Sequence, residues 1–188
     1  MSRNAIFAAG MLVGALALGT VGLSALGQSV SKAPFVNGDQ VGMDRGEDWQ
    51  HYAARASRSL DEAAGDEKAY ALITFDKDTD FAQAAVAVAG LGRVGAVVYP
   101  GLPPKAVPEP ARGQGRETVF DREARRAIGR AEPTEGQDAQ GADSVQSVVV
   151  YDTGEALRAA AAHHQVAAVE VLPADAVWGA FAVRPASP

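Results

Sequence analysis

The chain of 188 residues contains no cysteine. This absence excludes disulfide bonds, thiol catalysis, and zinc or iron–sulfur centres with cysteine ligands. Basic residues are also in deficit, since 17 Lys and Arg stand against 23 Asp and Glu, a net charge of −6. Without a basic surplus to neutralise phosphates, we expect neither a nucleic acid partner nor a polybasic surface for anionic lipid.

Charge is absent from residues 5–27, which follow a four-residue N-terminus containing Arg3. A helix of this length is about 34 Å long, enough to cross a hydrocarbon core of about 30 Å. The sequence therefore predicts a transmembrane helix or signal anchor. Arg3 and the amino terminus place residues 1–4 in the cytoplasm and the rest of the chain outside it. Small residues at the end of the segment favour an alternative, a signal peptide cleaved near Gly27 and a secreted protein.

Three glycines in this segment have the spacing of small residues at helix–helix interfaces in membranes. Gly10 and Gly14 are four residues apart, and Gly19 repeats the spacing with Ala15. Such residues let two helices approach closely in lipid. We therefore identify the three glycines as candidate contacts with an integral membrane protein complex. The alternative is an alanine- and glycine-rich composition that produces the same spacing by chance.

Downstream of the membrane segment, the sequence predicts a tether and one domain. Residues 28–47 contain a proline and several glycines with little periodicity, which is typical of an extracytoplasmic tether. Residues 48–188 are enough for one domain with its own core. Its first element is predicted to be a helix that begins after Asp48. Trp49 starts the apolar stripe of that helix and is a candidate for either the core or an interface.

The predicted domain contains one pattern twice, in residues 70–100 and 146–183. Each time an apolar strand ends in an aromatic residue and an aspartate, and a helical run and a second strand follow. Two such βαβ units in tandem predict an α+β domain of ferredoxin-like character. We expect the first strands of the two units to be adjacent and parallel. The apolar run around Trp178 predicts a final strand, with the tryptophan in the core or at an interface.

A proline- and glycine-rich insertion, residues 101–145, separates the two units. Residues 117–131 predict a short helix within it, and residues 132–143 are typical of disorder. Arg122 and Arg126 on that helix are candidate contacts with an acidic partner, and a solvated helix face is the alternative. A connection this long is either a functional insertion or evidence against the predicted topology.

No motif supports a catalytic, cofactor-binding or metal-binding residue. The acidic residues from Asp76 to Asp80 lack the glycine and glutamate that complete a calcium loop, and helix capping explains them better. The glycines of residues 90–95 end a helix, whereas a dinucleotide site needs them to begin one. Adjacent residues such as His163 and His164 point about 100° apart on a helix and do not readily share a metal ion.

From these features we expect a non-catalytic, membrane-anchored extracytoplasmic accessory or assembly subunit. Its partner would be a bacterial cytoplasmic-membrane complex for secretion, division, transport or respiration. One alternative is a secreted or anchored domain of the cell envelope that binds a small ligand. A less favoured one is a carboxylate-dependent enzyme, which requires Asp76 and Asp152 to converge in one pocket.

Overall fold

The structure, a computed structural model, describes residues 38–77, 79–129 and 143–188. The chain divides after Phe35 into two units, and the described residues all belong to the second, Val36–Pro188. The predicted membrane segment, with Gly10, Gly14 and Gly19, lies outside the described residues. So does nearly all of the stretch that is predicted to be disordered.

Within the described residues the chain forms seven strands and four helices, so the predicted α+β class is confirmed. The strands are β1 (Gln40–Val41), β2 (Lys68–Phe75), β3 (Val94–Val98), β4 (Lys105–Ala106), β5 (Ser147–Thr153), β6 (Val166–Val171) and β7 (Ala182–Val183). The helices are α1 (Trp49–Glu62), α2 (Phe81–Ala87), α3 (Arg116–Ile128) and α4 (Gly154–Ala161).

Five strands form one antiparallel sheet in the order β4-β3-β5-β2-β6. The two predicted strand–helix–strand segments are β2-α2-β3 and β5-α4-β6. Each has a strand of the other inserted between its own two strands. The expectation that β2 and β5 are parallel is therefore wrong, because the insertion makes these two neighbours antiparallel.

Side-chain caps explain why three of the four described helices, α1, α2 and α4, begin where they do. Asp48 accepts a hydrogen bond from the backbone N–H of His51 and caps α1, as the sequence predicts. Asp80 and Gln83 form a capping box at α2, and Thr153 caps α4. Each of these caps satisfies backbone N–H groups that have no partner inside the helix.

The core consists of two apolar clusters on opposite faces of the sheet. Alternate residues of β2 belong to different clusters, as the two-residue period of a strand requires: Ile73 to the first and Leu72 to the second. Side chains of α2, α3 and α4 complete the first cluster. Side chains of α1, β1 and the chain after β6 complete the second.

The folded unit begins before the predicted domain boundary at residue 48. Residues 28–47 are predicted to be a tether, but β1 lies within them and pairs in parallel with β7. Val41 is fully buried in the second cluster. The apolar partner surface of Val41 comes from segments that are distant in sequence, so the local pattern around it gives no sign of burial.

Two further segments differ from their sequence interpretation. Only Ala182–Val183 of the predicted final strand is a strand, and it pairs with β1 instead of joining the five-stranded sheet. The insertion contributes β4 to the sheet edge and α3 to the first cluster. Val119 and Phe120 of α3 are fully buried there, which confirms the predicted helix and its apolar face.

Candidate functional site

The two aspartates that could have formed a catalytic pair lie at opposite ends of the sheet. Asp152 is opposite Ala69 in the pairing of β5 with β2, whereas Asp76 follows the other end of β2. At about 3.3 Å per strand residue the two carboxylates are about 20 Å apart. They cannot act on one substrate atom, and the idea of convergence is wrong.

The Asp152 carboxylate holds the backbone of a neighbouring loop. It accepts hydrogen bonds from the backbone N–H of Gly92 at 2.6 Å and of Thr153 at 2.8 Å. The residue is buried, so its carboxylate depends on these two N–H groups as hydrogen-bond donors. Asp152 therefore fixes the turn between α2 and β3, which the sequence pattern alone did not indicate.

Replacing Asp152 with alanine is expected to lower the free energy of unfolding by about 1–3 kcal/mol, because two backbone N–H groups lose their acceptor. Asp76→Ala is the matched control, since Asp76 is exposed, and it should change stability by no more than about 0.5 kcal/mol. Urea denaturation measures both values. Equal losses in the two variants would contradict the structural role of Asp152.

The predicted contact residues Arg122 and Arg126 meet at one buried carboxylate of their own helix. Both donate to the same Glu123 oxygen, Arg122 at 3.3 Å and Arg126 at 2.6 Å. Glu123 is buried beneath them, and about half of the Arg126 side chain remains exposed. The structure thus brings these two arginines together, but part of their charge is compensated within α3.

A network of charges fastens β1 and the following turn to the sheet and to α1. We call Gly42, Glu47, Arg55 and Glu170 the Glu170 clamp. The Gly42 N–H donates to one Glu170 oxygen at 2.7 Å, and the Arg55 guanidinium contacts the other. Arg55 also donates to Glu47 at 2.9 Å and to the Gly42 carbonyl at 3.1 Å. One guanidinium therefore joins α1 and the turn after β1 to β6, which lies 115 residues away from Arg55 in sequence.

Burial and ion pairing act in opposite directions on these groups. Burial raises the pKa of Glu170 above its ordinary value, and the Gly42 N–H and Arg55 partly oppose this effect. Hydrogen bonds with Glu47 raise the pKa of Arg55, and Arg55 in turn lowers the pKa of Glu47. Arg55 therefore stays charged, and its presence favours the ionised form of Glu170.

The sequence pattern did not indicate the Glu170 clamp. One signal was available, because Glu170 is the only charged residue in the apolar strand β6. A buried carboxylate requires a hydrogen-bonded or charged partner. The identity of that partner was not accessible, since Arg55 precedes Glu170 by 115 residues and charged residues are common on helices.

Aromatic side chains form a second feature, a partly exposed surface at the edge of the second apolar cluster. We call Tyr70, Tyr151, Val177, Trp178 and Phe181 the Trp178 surface. The Tyr70 ring lies 4.6 Å from Tyr151, 5.7 Å from Trp178 and 5.3 Å from Phe181, measured between ring centroids. Such tilted arrangements are favourable for aromatic pairs.

The Trp178 ring packs directly against the backbone of Gly95 in β3. A Cβ atom at Gly95 would lie 2.8 Å from Cη2 and 2.9 Å from Cζ3 of the indole, closer than any normal contact. Any other residue at position 95 would therefore displace the ring from its position against β3. With Tyr70 and Phe181 at its sides, the indole is held in one position while part of it faces solvent.

The second tryptophan, Trp49, has a different environment. It is the first residue of α1, is partly buried against the second cluster, and has its ring 5.4 Å from that of Tyr52. Its ring contact is thus with its own helix and not with the Trp178 surface. Of the two candidate interface tryptophans, Trp178 is the one on a surface of several aromatic rings.

A cavity of about 430 Å³ lies where the two strand–helix–strand segments meet. Its wall includes Phe75 at the end of β2 and Asp76 after it, Pro100 after β3, and Ser144 and Gln146 before β5. The wall combines an aromatic ring, a carboxylate and an amide, which suits a small polar molecule.

The described part of the chain contains neither a membrane-spanning helix nor a cluster of metal ligands. No helix there is long and apolar enough to cross a bilayer, and the predicted membrane segment lies outside it. No group of three His, Asp or Glu side chains in residues 38–77, 79–129 and 143–188 could hold a metal ion. Comparison of the chain with protein families, with curated proteins and with solved structures gave no match.

Proposed function

We propose that the chain is a non-catalytic, membrane-anchored extracytoplasmic accessory or assembly subunit of a bacterial cytoplasmic-membrane complex. The observation that carries the proposal is the Glu170 clamp. It uses a buried carboxylate and a guanidinium to fix the turn through which the chain enters the domain. A subunit that is held at a membrane by its N-terminal segment benefits from this clamp, because the chain then enters the domain through a turn that is part of the fold.

The length of the intervening chain also supports this proposal. Ten residues separate the end of the predicted membrane segment at Gly27 from Gly38, where the described chain begins. Fully extended, they span at most about 40 Å. Because β1 is clamped directly after this stretch, the domain would stay near the bilayer surface, where subunits of a membrane complex meet.

The fold assignment is part of the same proposal. We propose that β2-α2-β3-β5-α4-β6 is a ferredoxin-like domain, because its strand order β3-β5-β2-β6 is that of two interlocked split βαβ units. The strands β1, β4 and β7 and the helices α1 and α3 are additions to it. Of these additions, α1, β1 and β7 cover the second face of the sheet, where the chain enters.

A second candidate function is binding of a small ligand, and the cavity beside Asp76 favours it. Polar groups and an aromatic ring converge there on a volume suited to a small molecule. In this case the domain, anchored or secreted, would act as a receptor in the cell envelope. Asp76 and Gln146 would be the groups that orient the ligand.

The full chain with a C-terminal tag, purified from native membranes in mild detergent, tests the two candidates. We expect a membrane-bound protein with its N-terminal segment intact, recovered in fixed stoichiometry with integral membrane subunits. External protease should digest the domain in intact spheroplasts, because it lies outside the cytoplasm. A free protein that starts near Gln28 would contradict the proposal. A co-purifying small molecule would favour the second candidate, and Asp76→Ala should then abolish its retention.

A further inference from the structure

The Trp178 surface contains two of the most exposed large apolar side chains in the described residues. Val177 is 59% exposed and Trp178 is 39% exposed; the third such residue, Val86 on α2, is 60% exposed. Exposed apolar side chains that lie side by side indicate a contact surface more strongly than isolated ones do. Val177 and Trp178 are adjacent, whereas Val86 is on a helix that packs on the other face of the sheet.

The backbone presents these two side chains at the tip of a tight turn. The Ala180 N–H donates to the Val177 carbonyl at 2.9 Å, and Gly179 has a φ of +80° at the third position of the turn. A glycine with positive φ is typical of that position. The contacts of the Trp178 ring with Tyr70 and Gly95 fix the orientation of the turn. Little conformational entropy is therefore lost when the turn binds a partner surface.

This turn lies beside the point where the chain enters the domain. Phe181 directly precedes β7, which pairs in parallel with β1, and the Ala182 N–H donates to the Asp39 carbonyl at 3.0 Å. In a parallel pair the segments before the two strands leave on the same side. The turn and the incoming chain at Gly38 therefore share one end of the molecule, and the predicted bilayer segment ends eleven residues before Gly38.

The chemistry of the turn matches the boundary between lipid headgroups and acyl chains. Tryptophan and tyrosine concentrate at that depth because their rings are apolar and carry one polar group. Residues 174–181 contain one charged side chain, Asp175, and no basic residue. Contact would consequently not depend on anionic lipid, unlike that of a polybasic segment.

We propose that the Trp178 surface inserts Val177 and Trp178 into the headgroup–acyl boundary of the bilayer that anchors the chain. The inference rests on the proposed membrane anchoring and adds a second contact with the same membrane. Two contacts on one rigid domain define its orientation, which a single helical anchor does not. The sheet face that carries α1 and β1 would then be directed towards the bilayer.

Fluorescence quenching by brominated lipid tests this inference with the full chain. The chain has two tryptophans, so Trp49→Phe leaves Trp178 as the only strong emitter. The variant is reconstituted into phosphatidylcholine vesicles with or without bromine on the acyl chains. We expect brominated lipid to lower the emission by at least about half, since interfacial tryptophans lie near the acyl chains. Added anionic lipid should leave this loss unchanged.

Two further variants keep the test decisive. Val177→Ser should weaken the quenching, whereas Val86→Ser, which removes an equally exposed valine from another face, should not. If Trp49→Phe fails to fold, Trp178→Phe in the otherwise native chain gives the same information. That variant should remove most of the quenchable emission.

The outcomes separate this inference from the proposed function. Equal emission in brominated and plain vesicles, with the protein floating with the vesicles, would overturn the lipid contact and leave the anchor intact. The same result with Trp178 shielded by a co-purified subunit would identify a protein interface instead. Failure to float with vesicles at all would overturn both the anchor and the inference.

Discussion

Replacing Gly42 with alanine is expected to lower the free energy of unfolding by about 3 kcal/mol and to release β1 from β7. Gly42 has a φ of +103°, which costs any other residue about 1–3 kcal/mol. A Cβ atom there would also lie 2.0 Å from the backbone carbonyl oxygen of Arg184. Since that carbonyl belongs to the chain just after β7, relief requires the two strands to separate.

Separation of β1 from β7 sets an upper limit on the loss of unfolding free energy. It exposes Val41, whose burial contributes about 1.5–3 kcal/mol, and it breaks the Gly42–Glu170 hydrogen bond. Once β1 has detached, additional strain at residue 42 costs nothing more. The loss should therefore stop near the free energy that holds β1, while the five-stranded sheet stays folded.

Gly38→Ala is the matched control for this prediction. Gly38 has a φ of +100°, almost that of Gly42, but no atom lies within 4 Å of its virtual Cβ. It should cost only the backbone strain, about 1 kcal/mol. Urea denaturation gives the stabilities, and faster trypsin cleavage after Arg45 reports the release of β1. Equal effects of the two substitutions would contradict the close contact with Arg184.

The sequence allowed the strand–helix–strand segments to be predicted because each is encoded by local periodicity. The helix in the insertion could be predicted for the same reason, since Val119 and Phe120 lie on one face of it. The directions of β2 and β5 could not, because periodicity does not contain the strand pairing. That error placed Asp76 and Asp152 at the same end of the sheet and allowed a pairing of their carboxylates that the register excludes.

The Trp178 surface and the Glu170 clamp both depend on contacts between segments that are distant in sequence. Neither feature could therefore be predicted completely. Trp178 was identified as a candidate from its residue type, but Gly95 beneath it was interpreted as helix termination and backbone packing. The segment that contains Glu170 was predicted only as an apolar strand, with no role for the carboxylate. In both cases the partner is more than 80 residues away in sequence, and a single sequence gives no means of choosing it.

Replacing Arg55 with alanine is expected to lower the free energy of unfolding by about 2–3 kcal/mol at pH 7. Removing one partner of a buried ion pair costs about 3–5 kcal/mol, and the value is reduced here because about a third of the Arg55 side chain is exposed. Arg58→Ala, at an exposed position of the same helix, is the control and should cost no more than about 0.5 kcal/mol.

The loss caused by Arg55→Ala should depend on pH through Glu170. Burial raises the folded-state pKa of Glu170 above its ordinary 4.5, so its contribution to stability is fully present below that pH. This contribution is lost as the pH rises through the folded-state value. Without Arg55 that value rises further, because an opposing effect is gone. The difference from the native chain should be small at pH 4 and largest near pH 7.

A second substitution shows whether the buried charge is the cause. Glu170→Gln keeps an oxygen that can accept from the Gly42 N–H but carries no charge, so Arg55→Ala should cost much less in its presence. We expect the double variant at pH 7 to recover about half of the stability that Arg55→Ala removes, which is non-additivity of about 1 kcal/mol. Strictly additive losses, independent of pH, would mean that Arg55 acts through its hydrogen bond to the Gly42 carbonyl and its packing on Tyr52 instead of through Glu170.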